Sequence, residues 1–160
     1  MFRPMRRAAQ QVSIGECLHI LNEGKRAAFS VNGEDGYPYT IPINYFYDQQ
    51  DQCIYFHGAK AGHRVDAIRA DDRVCFTVWG GDSRREGHWE WDVTSVVIFG
   101  RCSLVTDPAL AAEKVRALAM NYYPSAELVE EEMKPDGDLT RMQLFAIHID
   151  AMTGKRVNER

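Results

Sequence analysis

Apolar and polar residues alternate along most of the chain in short runs, the pattern of β-strands with one buried face. Six runs rich in β-branched and aromatic residues stand out, at 27–31, 39–47, 53–57, 73–79, 93–105 and 144–149. Polar turns separate many of them at roughly 8–12 residues, a spacing typical of antiparallel barrels and sandwiches. The pattern therefore predicts a mainly β protein in which helices are peripheral.

Four stretches show helical features instead. Ser13 and Glu16 form a capping-box pattern ahead of apolar residues at helical spacing, and Gly24 marks the end of that helix. A second helix is predicted at 62–70, and a third begins at Asp107-Pro108 and runs to about residue 122. The stretch 126–133 is a fourth candidate, with three consecutive glutamates on a solvated face. Residues 1–12 are expected to form a loose arm of a single domain spanning 1–160.

The stretch 80–92 is the longest connection without a clear pattern, and it holds Trp89 and Trp91 among charged residues. Long loops in compact domains are usually functional. We expect this loop to close over a site or a partner subunit. The alternative is that both rings only cap one end of the fold.

Composition narrows the classes of protein that fit. The net charge of −4 argues against a general nucleic-acid-binding protein, and no stretch approaches the roughly 20 apolar residues of a membrane span. No signal-peptide pattern is visible, so a cytoplasmic location is expected. The four cysteines are widely spaced and are expected to be reduced thiols in the core. No His or Cys pair has metal-ligand spacing, so no metal site is predicted.

The sequence Ile-Tyr-Phe-His-Gly-Ala-Lys-Ala-Gly-His-Arg at 54–64 carries the clearest chemistry. A strand ends near His57, two glycines follow, and a helix then begins with Arg64 in its first turn. Glycines allow close approach of a ligand to the backbone, and a helix N-terminus offers unpaired N–H groups and partial positive charge. With Lys60 and Arg64 as cationic donors, these features favour a phosphate site. The alternative is a solvated helix start with ordinary surface cations.

A second segment, Tyr-Thr-Ile-Pro-Ile-Asn-Tyr-Phe-Tyr at 39–47, contains a proline in an otherwise strand-like run. Pro42 cannot donate to a sheet ladder, so this strand must be an edge or be locally open. Free backbone groups there, together with Thr40 and Asn44, suit a flat heterocycle that carries its own donors and acceptors. An edge strand that proline protects from aggregation is the alternative.

These segments together resemble a known family. The runs at 38–45, 54–62 and 73–76 are similar to those of the pyridoxamine 5′-phosphate oxidase-like flavoproteins, and in particular to the nitroimidazole-resistance, or nitroimidazole reductase-like, branch. Ser-Val-Val-Ile-Phe-Gly at 95–100 resembles the central strand of that branch, and Thr-Gly-Lys at 153–155 its closing motif. The resemblance covers nearly the whole chain in the expected order.

The resemblance implies an antiparallel split β-barrel that binds FMN between the subunits of a homodimer. It places the isoalloxazine ring against residues 40–44, the ribityl chain along 57–59, and the phosphate near Lys60, His63 and Arg64. The second subunit would contribute around Ser95, with Trp89 and Lys155 as further candidates. The implied cofactor site is thus Thr40, Ile41, Pro42, Ile43, Asn44, His57, Gly58, Ala59, Lys60, Gly62, His63, Arg64, Trp89, Ser95 and Lys155.

The expected function is an FMN-dependent oxidoreductase that takes electrons from a reduced nicotinamide cofactor and reduces small electrophiles. The family resemblance implies nitroaromatic compounds as the substrate class. His57 is the candidate proton donor or substrate contact. The substrate residues of the vitamin-forming oxidase are not evident, so pyridoxamine phosphate oxidation is not inferred. One alternative is a sensor or carrier that binds flavin, deazaflavin or haem on the same barrel. Another is a cofactor-free interaction domain.

Overall fold

The computed structural model describes residues 2–84, 86–123, 125–133 and 141–158. Its centre is a curled, seven-stranded antiparallel sheet with the strand order β2-β1-β5-β6-β7-β4-β3. This half-barrel confirms the predicted mainly β fold of the split-barrel type. The strands are β1 (Arg26–Asn32), β2 (Pro38–Asn44), β3 (Phe46–Asp48), β4 (Cys53–Ala59), β5 (Arg73–Ser83), β6 (Asp92–Val105) and β7 (Met142–Asn158).

Four helices lie around the sheet, and a short 3-10 turn (Ala8–Gln10) precedes them. They are α1 (Ile14–Glu23), α2 (His63–Ala70), α3 (Pro108–Met120) and α4 (Ala126–Glu132). The predicted caps are present, because Ser13 Oγ accepts from the Glu16 amide at 3.2 Å and Asp107 Oδ1 accepts from the Ala109 amide at 2.9 Å. The Glu16 carboxylate pairs with Arg156 rather than completing the capping box. No helix among the described residues is long and apolar enough to cross a membrane.

The predicted strand at 39–47 is two strands, separated by Tyr45. Its side chain is fully buried and donates from its hydroxyl to the Leu21 carbonyl at 2.6 Å. Its amide bonds to the Lys25 carbonyl and the Tyr122 hydroxyl instead of continuing a ladder. The Tyr122 hydroxyl also donates to the carbonyl of Lys25 or Tyr45, both of which lie beside it. Packing of distant residues against the backbone at Tyr45 therefore divides a run that is continuous in sequence.

The last strand is longer than the prediction of 144–149, and its extension includes the Thr-Gly-Lys motif. Polar and apolar residues do not alternate in this extension, because helix α1 packs directly on it and covers a face that would otherwise be polar. A Cβ atom at Gly154 would overlap Cys17 Sγ and Val12 Cγ2, so glycine is required by this close approach. A register shift at Phe99/Gly100 lets β7 pair with β6 along almost its whole length.

The inner face of the half-barrel holds the main core, in which the aromatic rings of Phe29, Phe56, Phe76 and Phe145 are fully buried. A smaller cluster around Cys53, Tyr55, Val115, Leu144 and Ala146 lies under α3. All four cysteines are free thiols, as predicted. On the outer face, Trp79 and Phe99 are 54% and 43% exposed.

Candidate functional site

The turn between β4 and α2 places a helix N-terminus at the end of β4, one strand in from the edge strand β3. Gly62 has φ of 119°, a conformation that favours glycine, and its carbonyl accepts from the amides of Val65 and Asp66 at 2.9 and 3.1 Å. The intrahelical bonds thus begin at Val65, which leaves the amides of His63 and Arg64 without an intrahelical acceptor. Beside Gly62 the structure is open, since a Cβ atom there would meet nothing within 4 Å.

Arg64 lies half-buried against the inner end of this turn rather than extended into solvent. Its guanidinium packs so closely on Gly58 that a Cβ atom there would overlap it, and it lies 4.9 and 5.5 Å from the ring centroids of Phe145 and Phe56. It forms no ion pair with any residue that the structure describes, and its buried Nε has no hydrogen-bond partner there. Desolvation by the surrounding protein lowers the pKa of Arg64, because burial disfavours the charged guanidinium.

His63 joins the turn to the predicted ring-binding strand. Its imidazole stacks on the ring of Tyr39, with 4.3 Å between centroids and 10° between planes. Tyr39 directly precedes Thr40, so the structure brings the segment 57–64 and the strand 40–44 together on one side of the molecule. No local sequence pattern indicates this contact, because His63 and Tyr39 are far apart along the chain.

Lys60 lies beside a different set of residues from those around Arg64. It lines a groove of about 490 Å³ between the start of α3 and the strands β6 and β7, alongside Thr106, Pro108, Ala111 and Gln143. Lys60 is exposed and forms no ion pair with the described part of the chain. Its flexible side chain lies within reach of either the groove or the turn.

Strand β2 is the edge of the sheet, as the proline predicted. Thr40, Pro42 and Asn44 are exposed on its outer face, and Thr40 shares a hydrogen bond with Ser30 at 2.7 Å between their hydroxyl oxygens. Ile41 and Ile43 face the core, so only their backbone groups are available to a ligand. The strand therefore offers polar side chains on one face and free main-chain groups along its edge.

His57 follows Phe56 near the end of β4. Its side chain reaches solvent, but protein atoms surround part of the imidazole. Desolvation, with a smaller effect of the Arg64 charge, lowers the pKa of His57 below its ordinary value of 6.5. The neutral form of the ring is therefore favoured at pH 7.

Replacing Arg64 with methionine is expected to raise the pKa of His57 toward, but not up to, its ordinary value. The positive charge disfavours the imidazolium, and its removal leaves only the desolvation. A pH titration of the His57 ring protons by NMR, identified by their loss in His57→Gln, measures this shift. An unchanged pKa would show that Arg64 does not act on this imidazole.

Ser95, Lys155 and Trp89 lie elsewhere in the protomer. Ser95 pairs with Lys155 across β6 and β7, and three strand steps, about 14 Å, separate Ser95 from β2. The tryptophan loop is shorter than predicted, since β5 continues to Ser83 and pairs there with Asp92. Trp89 is 74% exposed, so it caps nothing within the protomer. In the described structure β7 pairs with β4 through residues 142–148, so Ser95 and Lys155, farther along their strands, do not lie at the turn of the same chain.

Sequence reasoning missed Trp79, which lies outward on β5 and pairs with Ser95. It shares an open recess with Lys25, Arg26 and Tyr122. The available signal was the strand alternation, which assigns residue 79 to the outer face with Cys75 and Thr77, where a large exposed ring is unusual. Among the described residues, no group of three or more His, Cys, Asp or Glu side chains is arranged to hold a metal ion.

Solved structures with the same fold come from several bacteria. The flavocytochrome Anf3 from Azotobacter vinelandii superposes with a TM-score of 0.77 over 96% of this chain and 72% of its own, at 22% identity. A protein from Bacteroides thetaiotaomicron assigned to 5-nitroimidazole antibiotic resistance superposes with a TM-score of 0.74 over 92% of this chain and 87% of its own, at 17% sequence identity. The FAD-binding protein from Mycobacterium smegmatis superposes with a TM-score of 0.62 over 93% of this chain and 98% of its own, at 21% sequence identity.

The sequence has no match among curated proteins. The family profile described as pyridoxamine 5′-phosphate oxidase, in contrast, matches residues 13–156, which is nearly the whole chain. The match includes β2, the turn at 57–64 and the Thr-Gly-Lys motif in β7. On this evidence the chain belongs to the pyridoxamine 5′-phosphate oxidase family.

Proposed function

We propose that this protein binds FMN and uses it as an oxidoreductase. The observation that carries the proposal is Arg64, a half-buried guanidinium without an ion pair among the described residues, beside a helix N-terminus with free amides. Burying a charge without a partner is costly, so such a group is expected where an anion completes the site. The neighbouring structures named for flavins have the same fold and support a flavin over other phosphorylated ligands.

The residues present fit the parts of FMN. Arg64, the amides of His63 and Arg64, and Lys60 would hold the phosphate, and the backbone of His57, Gly58 and Ala59 would follow the ribityl chain. The ring would lie against the outer edge of β2, where Thr40 and Asn44 offer side-chain hydrogen bonds. The stacked pair of His63 and Tyr39 holds these two regions in a fixed relation.

A second copy of this chain is part of the proposal. The outer face presents Phe99, which is 43% exposed, with Phe2 stacked on it at 5.5 Å between ring centroids. An exposed apolar face of this kind marks an interaction surface. A homodimer across it would bring Ser95, Lys155 and Trp89 of one subunit toward the turn of the other.

The bound flavin would supply hydride and electron transfer between a reduced nicotinamide and a small electrophile such as a nitroaromatic compound. The chain's own part is to anchor the phosphate at Arg64, orient the ring along β2, and exclude water by dimerisation. His57, neutral at pH 7, would contact substrate and hand over a proton only when protonated. The free thiols are consistent with the proposed cytoplasmic location.

The purified protein tests this proposal directly. We expect a yellow protein with flavin absorption, release of FMN rather than FAD on acid treatment, and the mass of a dimer by light scattering. Anaerobic addition of NADH or NADPH should bleach the flavin band, and a nitroaromatic compound should restore it. A colourless protein that does not take up added FMN would overturn the proposal. Flavin that stays oxidised with every donor would contradict the oxidoreductase activity and indicate a flavin carrier instead.

Haem binding is the second candidate, because one of the structural neighbours is a flavocytochrome and another is named for binding FAD and haem. A neutral, accessible imidazole such as His57 is a suitable haem ligand. A Soret band in the purified protein, lost in His57→Ala, would favour this function.

A further inference from the structure

A recess at the open end of the outer face is not used by the proposed flavin contacts. It has a volume of about 420 Å³ and is lined by Gly24, Lys25, Arg26, Trp79 and Tyr122. These residues come from the α1–β1 connection, the end of the regular part of β5, and the segment after α3. Recesses of this size suit a small-molecule ligand.

Trp79 gives the recess an aromatic wall. Its ring is 54% exposed although its neighbours in the same strand, Val78 and Phe76, are fully buried. Because β5 alternates regularly up to this point, the indole must stand on the outer face. A large planar ring held open on a rigid strand is a platform for stacking another aromatic group.

Lys25 and Arg26 give the recess its charge. Both are exposed, and neither forms an ion pair with a carboxylate in the described ranges. Their backbone is fixed, because the Lys25 carbonyl accepts from the Tyr45 amide at 3.3 Å and also from the Tyr122 hydroxyl. The Lys25 ammonium lies 5.8 Å from the Tyr122 ring centroid. Two unpaired cations on a fixed backbone contrast with the chain's net charge of −4.

We propose that this recess binds a planar aromatic anion, whose ring stacks on Trp79 while its negative group pairs with Arg26 and Lys25. A guanidinium binds a carboxylate or phosphate in a forked geometry, and a desolvated aromatic neighbour strengthens the pairing. A neutral aromatic molecule gains only the stacking, so the site discriminates by charge.

The recess lies next to the strand that would hold the proposed flavin ring. Arg26 pairs directly with Asn44 across β1 and β2, so the recess adjoins the end of the strand that would hold the ring. Resting on the proposed function, the anion would be an aromatic acid substrate or the nucleotide portion of the electron donor. Binding of the anion itself does not depend on flavin.

The test uses the full wild-type chain, in which the indole N–H signal of Trp79, one of three tryptophans, is identified by its loss in Trp79→Phe. The indole N–H signal of Trp79 is followed by ¹⁵N NMR during titration with 4-nitrobenzoate, its neutral isostere 4-nitrobenzamide, and AMP. We expect a saturable shift with 4-nitrobenzoate or AMP at an affinity at least fivefold higher than with 4-nitrobenzamide. The tighter of the two anions identifies the source as an aromatic acid or a nucleotide.

Charge removal provides the second measurement. Lys25→Gln together with Arg26→Gln is expected to abolish the preference for the anion, while Arg69→Gln, an exposed arginine on α2, leaves it intact. Equal affinities for the acid and the amide, no shift with any of the three compounds, or an unchanged preference in the double variant would each overturn the proposal. The flavin absorbance of the same sample reports separately on the proposed cofactor, so the two proposals fail independently.

Discussion

Replacing Arg64 with methionine is expected to weaken FMN binding about 10- to 150-fold, the equivalent of about 1.5–3 kcal/mol for a lost charge-assisted hydrogen bond. Methionine is unbranched and apolar, so its thioether is expected to pack beside the rings of Phe56 and Phe145, where the guanidinium lies in the wild-type protein. Titration of flavin-free protein with FMN, followed by flavin fluorescence, gives the dissociation constants.

The same variant has a second expected property, which separates a ligand site from a structural contact. Because the guanidinium is half-buried without an ion pair in the described structure, its removal should leave the stability of the flavin-free protein unchanged or slightly raised. FMN at about 100 times the wild-type dissociation constant should raise the melting temperature of the wild-type protein by mass action and raise that of the variant much less.

Arg69→Met is the matched control, since it removes the same charge from the same helix at an exposed position whose partner, Asp66, lies 4.0 Å away. Its affinity for FMN should equal that of the wild-type protein. If Arg64→Met also retained wild-type affinity, the phosphate would have to bind elsewhere.

Replacing Lys114 with methionine is expected to lower the free energy of unfolding by about 3 kcal/mol, the lower end of the range for breaking a buried ion pair. Lys114 is only 6% exposed, and its ammonium lies 2.8 Å from Asp48 and 3.1 Å from Asp51. Its hydrogen bonds tie α3 to the β3–β4 hairpin. The lower end applies because Asp51 and Glu113 remain open to solvent. Urea denaturation monitored by circular dichroism measures the change.

Asp48 makes this contribution depend on pH. Burial by itself would raise the pKa of Asp48, but the hydrogen bond from Lys114, that from the Gln50 amide, and the Lys114 charge together lower it below 3.8. A depressed pKa in the folded state stabilises the protein above the pKa of the unfolded state, and this stability is lost as the pH falls through the folded value. The difference between wild type and Lys114→Met should therefore be constant from pH 5 to 7 and shrink below about pH 4.

A double-mutant cycle with Asp48→Asn checks that the effect belongs to the pair. The asparagine retains an oxygen for the Gln50 amide, which donates to Asp48 Oδ1 at 2.8 Å. The double variant should be less destabilised than the sum of the single variants, because no charge is then left buried alone. Simple additivity would mean that Lys114 acts through packing against Tyr55, whose ring centroid lies 5.4 Å from its ammonium.

Local sequence patterns were enough to predict the class of fold and the kind of candidate site. Alternating runs located the strands, and cap residues located the starts of α1 and α3 because their hydrogen bonds join residues only two or three positions apart. Pro42 identified an edge strand, since a proline cannot donate to a neighbour on both sides. The glycines and cations at 57–64 indicated an anion site because helix start, backbone freedom and charge are all local properties.

Features that depend on contacts between distant residues could be read only from the three-dimensional structure. The break at Tyr45 is made by residues 25 and 122, and the length of β7 depends on the packing of α1 over Gly154. Side-chain direction was equally undetermined: Arg64 turns inward onto Gly58, Lys60 lines a separate groove, and His63 stacks on Tyr39. A one-dimensional pattern records which residues prefer burial, whereas contacts between distant segments are fixed only when the sheet curls and brings them together.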